Sequence, residues 1–169
     1  RLGSATEAVL TAPTGSSLNK LQCFDFSGNR RFAFRTKMSI GGGPGDVYFF
    51  VGNGSCFSDN IGFSSGQVFT GIRWARDSVG MAISIRSGGG WTPIAPSSML
   101  PDSVHLLELY ANNSSNIEGY VNGTSQTVAP FSWDLWVDGN LIVNDQAGAG
   151  LADSIDIDSF MFYTAASPA

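Results

Sequence analysis

Residues 104–128, VHLLELYANNSSNIEGYVNGTSQTV, constrain the fold of this chain more than any other segment. Short apolar runs alternate here with two polar turns, the cluster Asn112-Asn113-Ser114-Ser115 and the pair Asn122-Gly123. Asn and Gly readily take the positive φ that a two-residue hairpin turn requires. The segment therefore predicts antiparallel sheet, with residues 117–121 paired to residues 125–128.

The rest of the chain continues this pattern, with short β-rich runs separated by Gly, Pro, Asn or Ser. Strands are predicted near residues 8–12, 21–26, 31–40, 46–52, 68–75, 80–86, 104–111, 116–121, 125–128, 135–138, 141–143 and 154–164. Charged residues make up only 14% of the 169 residues, Gly numbers 21, and no window shows sustained helical periodicity. These features predict one all-β domain over residues 1–169, built as an antiparallel sandwich or a barrel.

Alternation with period two predicts which side chains face the core. In residues 31–40, Phe32 and Phe34 fall on one face and Arg35 and Lys37 on the other. The same rule predicts inward side chains in two later runs: Met81, Ile83, Ile85, Ile155, Ile157, Met161 and Tyr163. It predicts solvated outward faces for the charged strand residues: Arg35, Lys37, Arg73, Arg86, Glu118, Asp156 and Asp158.

The overall charge narrows the classes of partner. A net charge of −5 and a pI near 4.6 disfavour electrostatic attraction to nucleic acid or to an anionic membrane surface. No apolar run is long enough to cross a bilayer, which predicts no membrane insertion. A glycan or another protein remains as the expected partner.

The two cysteines and four glycosylation motifs bear on the compartment. Cys23 and Cys56 lie in different predicted elements, so they form either a disulfide in an oxidising compartment or two thiols in a reducing one. We expect the disulfide, which would pin an N-terminal strand to a loop. Motifs for N-glycosylation occur at Asn53, Asn112, Asn113 and Asn122, although the same residues are ordinary turn formers. Together these features favour an extracellular location or a cell or virion surface.

Three segments carry a resemblance to a known superfamily. Residues 117–121 with Asn122-Gly123 resemble the hairpin of concanavalin A-like jelly rolls, which include legume-type lectins, laminin G-like modules and glucanases. The segment GPGDVYFFVGN resembles the D-G-x-A-F-F stretch of legume-type lectins, with Asp46 at the position of the sugar-binding Asp. SIDIDSF resembles the terminal strand of laminin G-like modules. The resemblance implies an antiparallel β-sandwich of the concanavalin A-like jelly-roll type that binds carbohydrate, with Asp46 accepting hydrogen bonds from sugar hydroxyls.

Sugar sites combine an aromatic plate with a few hydrogen-bonding groups, because a pyranose has an apolar face and a rim of hydroxyls. Trp91, flanked by glycines and Pro93, is the predicted plate, with Asp46 and Asn60 as polar partners. Asp59 and Asp77 could join the site or bind calcium, or be ordinary turn residues. We expect the site on loops carrying Asp46 and Trp91 and not on the charged strand faces.

Catalytic motifs are not recognisable in the sequence. There is no E-x-D-x-E run of the kind that jelly-roll glucanases use, and His105, the sole histidine, lies in an apolar run. A glycan-cleaving enzyme stays open only if carboxylates from separate loops converge. The sequence thus favours a non-catalytic, lectin-like module. The alternative is a structural or protein-binding adhesion domain, such as a laminin G-like module, a viral spike head or a capsid-associated jelly roll.

Overall fold

The computed structural model describes residues 2–4, 7–10, 18–58, 64–76, 80–94 and 99–166. The strands are β1 Leu2–Ser4, β2 Glu7–Ala8, β3 Leu18–Cys23, β4 Arg31–Met38, β5 Gly45–Gly52, β6 Val68–Arg76, β7 Met81–Ser87, β8 Gly90–Pro93, β9 His105–Asn112, β10 Glu118–Asn122, β11 Thr124–Val128, β12 Ser132–Val137, β13 Asn140–Ala147 and β14 Ser159–Ala166. Two short 3-10 turns span Ser55–Phe57 and Ser65–Gln67. The described residues contain no helix long and apolar enough to span a membrane.

Two sheets pack face to face. The four-stranded sheet has the order β13-β12-β9-β4, and the six-stranded sheet has the order β3-β14-β5-β6-β7-β8. All strand pairings are antiparallel. The main core lies between the sheets, with Phe49 and Ile72 from the larger sheet packed among Leu109, Trp133 and other apolar residues of the smaller one. The predicted all-β antiparallel sandwich is confirmed.

The predicted alternation holds in two of three strands. In β4 the even-numbered apolar side chains are the more buried, and in β7 Ile83 and Ile85 enter the core. For residues 154–164 the prediction is right for Ile157, which is fully buried in the main core, but the predicted alternation does not hold for the rest of the segment. Ile155 is exposed, β14 begins only at Ser159, and Met161 pairs with Phe50 on the side away from the main core. The reason is that Ile157 makes a single bridge to Asn29 before the strand starts, so the alternation does not run through the segment.

The β10–β11 hairpin forms a third layer. It lies on the outer side of the four-stranded sheet, where Tyr120 stacks on Tyr110 with ring centroids 3.9 Å apart. The predicted hairpin is confirmed, but its turn is not the predicted two-residue turn. Asn122 pairs with Thr124, so Gly123 stands alone at the apex with φ 69°. Glycine takes this conformation without steric cost.

Candidate functional site

The outer side of the six-stranded sheet, here called the open face, gathers aromatic and charged side chains from several strands. On β5, alternation places Asp46, Tyr48 and Phe50 on this side, opposite the core residues Phe49 and Val51. Strand pairing sets Tyr48 between Arg73 of β6 and Tyr163 of β14. The site is therefore assembled from residues distant in sequence but adjacent in the sheet.

Among the described residues, one end of this side is covered and the other is not. The 3-10 turn Ser55–Phe57 packs Cys56 and Phe57 over Phe50 and Met161, which are 4% and 2% exposed. Tyr48 and Tyr163, further along the same strands, are only half-buried. The covering turn thus forms a wall beside a stretch of sheet that no described residue covers.

Trp91 completes this stretch, but from a strand. It lies in β8 opposite Arg86 and reaches towards β5, with its ring centroid 5.6 Å from that of Tyr48 and 6.0 Å from that of Phe50. Gly71 allows this packing, because a Cβ there would lie 2.8 Å from the Cβ of Arg86 and 3.2 Å from the ring of Phe50. The prediction that Trp91 sits in a loop is therefore wrong.

Tyr48, Trp91 and Tyr163 together form what we call the aromatic floor. Tyr163 meets Tyr48 edge to face at 5.3 Å, and the guanidinium of Arg86 lies 5.5 Å from the centre of the Trp91 ring. All three rings are half-buried, and their planes are inclined by 51° between Tyr48 and Trp91 and by 62° between Tyr48 and Tyr163. The floor is therefore a set of inclined apolar faces and not one flat surface.

Asp46 anchors the charged groups beside the floor. It is only 8% exposed and accepts hydrogen bonds from the Tyr48 hydroxyl and from Nη2 of Arg73, both at 2.9 Å. Burial, with the hydrogen bond to Asp46, raises the pKa of Tyr48 to about 12, so its hydroxyl stays protonated and donates. Asp46 lies in β5 and not in a loop, so its predicted loop position is also wrong.

The structure describes two of the predicted site residues and leaves three outside its described ranges. Asp46 and Trp91 do come to the same face of the same sheet, linked through Tyr48. Asn60, Asp59 and Asp77 lie outside the described residues. Within the described ranges, no group of three or more His, Cys, Asp or Glu is placed to hold a metal ion.

The expected disulfide is not formed, since Cys23 and Cys56 are both free thiols. Cys23 is exposed and pairs with Phe160, whose ring faces the main core, whereas Cys56 packs with Phe50 on the outer side. The two side chains thus belong to opposite sides of the sheet. Burial raises the pKa of the Cys56 thiol, which keeps it protonated.

Two of the glycosylation motifs serve the fold. Asn112 and Asn113 are both 0% exposed. The Asn112 amide donates to the backbone carbonyls of Asn116 and Ala129, and that of Asn113 donates to those of Ala152 and Ile155. At these two positions the structure favours turn chemistry over glycan attachment.

The outer side of the four-stranded sheet, here called the covered face, holds a second polar cluster. Asp134 is fully buried and accepts hydrogen bonds from the Tyr120 hydroxyl at 2.6 Å and from the backbone N–H of Asp145 at 2.7 Å. Glu108, 7% exposed, pairs with Arg35 at 3.2 Å. The carboxylates of this cluster are thus held by partners within the chain.

Comparison with known proteins yields only distant structural likeness. Neither a protein-family model nor a curated protein sequence matches the chain. Among solved structures, sheep galectin-11 in complex with glycerol is similar over 93% of this chain and 97% of that chain, with 7% sequence identity and a TM-score of 0.44. At this TM-score and identity, the galectin does not indicate the function of this chain.

Proposed function

We propose that this protein is a carbohydrate-binding, lectin-like module whose ligand lies on the open face of the six-stranded sheet. The observation that carries the proposal is the aromatic floor of Tyr48, Trp91 and Tyr163 beside fixed hydrogen-bonding groups. An aromatic plate with adjacent polar groups suits a pyranose, which has one apolar face and a rim of hydroxyls.

In this proposal Trp91 contacts the sugar directly, whereas Asp46 acts mainly through Arg73 and Tyr48. Asp46 is only 8% exposed and its Oδ2 already accepts the bonds from Tyr48 and Arg73, so a ligand could reach only Oδ1. The same two hydrogen bonds hold Arg73 and the Tyr48 ring in position to contact the sugar. Asn60 remains a predicted contact, and calcium binding by Asp59 or Asp77 remains a prediction of the sequence. An extracellular or surface location is part of the same proposal.

A glycan array on the purified protein, run with and without calcium, tests the function. Trp91→Ala should weaken binding to any glycan found by roughly ten- to thirtyfold, the size expected when an indole loses its buried apolar contact. Val121→Ala is the matched control, because Val121 is exposed on the distant β10–β11 hairpin. Equal affinities for the wild type and Trp91→Ala, measured by calorimetry, would place the ligand elsewhere.

A protein-binding or adhesion role is the second candidate function. It is favoured by Ile117 and Val121, which are 68% and 73% exposed at and beside the β10–β11 hairpin. Exposed apolar side chains in one region are typical of protein interfaces. An array on which no glycan binds would favour this role over the first.

A further inference from the structure

We propose that the ligand of the open face is an acidic glycan, in which a sugar ring stacks on the aromatic floor while its carboxylate or sulfate group binds Arg73 and Arg86. This inference rests on the proposed carbohydrate-binding function and deepens it. It names the chemical class of the ligand, an anionic sugar, from the charges that the sheet places around the floor.

The open face is basic in an acidic protein. The chain has 14 acidic against 9 basic residues, yet the six strands of the larger sheet contain a single acidic residue, Asp46. The same face carries three cations, Lys20 opposite Tyr163, Arg73 opposite Tyr48, and Arg86 opposite Trp91. Each cation is thus the direct cross-strand neighbour of one ring of the floor.

Asp46 fixes Arg73 without using all of its donors. Only Nη2 of Arg73 bonds to the carboxylate; Nε has no hydrogen-bond partner among the described residues but is buried, so the donors open to a ligand are Nη1 and the second N–H of Nη2. The Arg73 side chain is still 33% exposed. A guanidinium held at one nitrogen presents its remaining N–H groups in a fixed fork, the geometry that binds a carboxylate or sulfate in two parallel hydrogen bonds.

Arg86 is held from the other side of the floor. Its Nη2 donates to the carbonyl of Gly89 at 3.3 Å, and its guanidinium lies over the Trp91 ring. Partial burial lowers the pKa of Arg86, which means that desolvation opposes its charge. An anion bound nearby would offset that cost, whereas a neutral sugar would not.

A neutral sugar fits this face less well. Its hydroxyls both donate and accept hydrogen bonds, so a neutral site needs accessible acceptors as well as donors. The carboxylate of Asp46 is nearly buried and its Oδ2 already accepts two hydrogen bonds, which leaves Oδ1 as the one acceptor it could offer. Cationic donors therefore predominate on this face, and a ligand that brings its own negative charge complements them better than a neutral one does.

Two matched pairs of probes test the inference by calorimetry. Oligogalacturonides are compared with their methyl esters, and sulfated galactan oligosaccharides with the desulfated forms. In at least one pair the acidic member should bind about tenfold more tightly or better, the general size of a charge-assisted hydrogen bond. That preference should weaken as NaCl is raised from about 50 mM to about 300 mM. The pair that responds tells a carboxylate from a sulfate.

Substitutions of the two arginines test where the acidic group of the glycan binds. Arg73→Gln and Arg86→Gln should each reduce the preference for the acidic member, with melting temperature measured for both so that a folding defect in one is recognised. Arg35→Gln is the matched control, since it removes the same charge from the covered face. If both members of each pair bind equally, or if only neutral glycans bind on the array, the acidic-glycan inference is overturned while carbohydrate binding stands. If no glycan binds on the array, both are overturned.

Discussion

The two outer surfaces of the sandwich carry similar side chains in different states. The open face has Tyr48, Trp91 and Arg73 around Asp46, and the covered face has Tyr120 and Trp136 around Asp134. In the second, the β10–β11 hairpin supplies Tyr120, which fills the surface from within the chain. In the first, no described segment lies over the floor end of the sheet. Aromatic and carboxylate side chains therefore do not by themselves distinguish a binding face from a structural one. The difference lies in whether another segment of the chain covers the face.

The largest predicted loss of stability comes from a substitution that disrupts the covered face. Tyr120→Ala removes the ring stacked on Tyr110, the hydrogen bond to Asp134 and the acceptor of the Trp136 Nε1–H donor. We expect a loss of about 2–4 kcal/mol of unfolding free energy, since packing is lost and a buried carboxylate keeps fewer partners.

Urea denaturation measures this loss. Tyr120→Phe is the control, because it keeps the ring and removes only the hydroxyl, at a cost of about 1–3 kcal/mol. A stability unchanged in both variants would mean that the hairpin does not hold the covered face.

The next effect tests the open face by the same logic. Asp46→Ala leaves the Arg73 guanidinium and the Tyr48 hydroxyl without their shared acceptor, so we expect a loss of about 1–3 kcal/mol. Glu118→Ala breaks a comparable 3.0 Å pair with Arg31, which is 61% exposed, and should cost less than about 1 kcal/mol. Chemical denaturation of the two variants decides the comparison; a greater loss in Glu118→Ala would contradict it.

The turn of the β10–β11 hairpin gives a smaller effect. Gly123→Val forces a β-branched side chain into φ 69° with no other atom within 4 Å of its Cβ, so the cost is backbone strain alone, more than about 1 kcal/mol. Gly43→Val is the control, because its Cβ is equally unobstructed but its φ is not positive. Melting temperatures that fall equally in both variants would argue against strain at Gly123.

Local patterns in the sequence predict strands but not which strands are neighbours. The alternation in β4 was readable because it needs only eight consecutive residues. Tyr48 and Tyr163 were not recognised as one surface, because 115 positions separate them and only the pairing of β5 with β14 brings them together. The period-two spacing of Asp46, Tyr48 and Phe50 was the available signal that they share a face.

The error over Trp91 has a local cause. Its glycine-rich flank indicated a loop tip, whereas Ser87 pairs with Gly90 and leaves Gly88-Gly89 as a two-residue hairpin turn, with Gly88 at φ 56°. The disulfide was wrong for a different reason. Spacing along the chain does not reveal that Cys23 and Cys56 belong to opposite sides of a sheet.

The smallest predicted effect is the pH dependence of stability that Asp134 contributes on the covered face. Burial raises the pKa of Asp134 under the hairpin above its ordinary 3.8. A raised pKa in the folded state contributes stability that is present below the ordinary value and is lost as pH rises through the folded pKa. The stability of the wild type relative to Asp134→Asn should therefore decrease from below pH 3.8 towards neutral pH.

Asp138, which directly follows β12 of the same sheet, provides a control whose stability is expected to change with pH in the opposite direction. The hydrogen bond with His105, at 2.6 Å, holds the pKa of Asp138 below its ordinary value. A lowered pKa contributes stability that is lost as pH falls through the folded pKa, so the stability of the wild type relative to Asp138→Asn should increase with pH. Urea denaturation of the three proteins between about pH 3 and pH 5 tests both signs, since groups that do not contact the substituted side chain cancel in the differences. An Asp134 difference that increases with pH would show that the hairpin does not desolvate Asp134, and an Asp138 difference that decreases with pH would contradict the effect of His105.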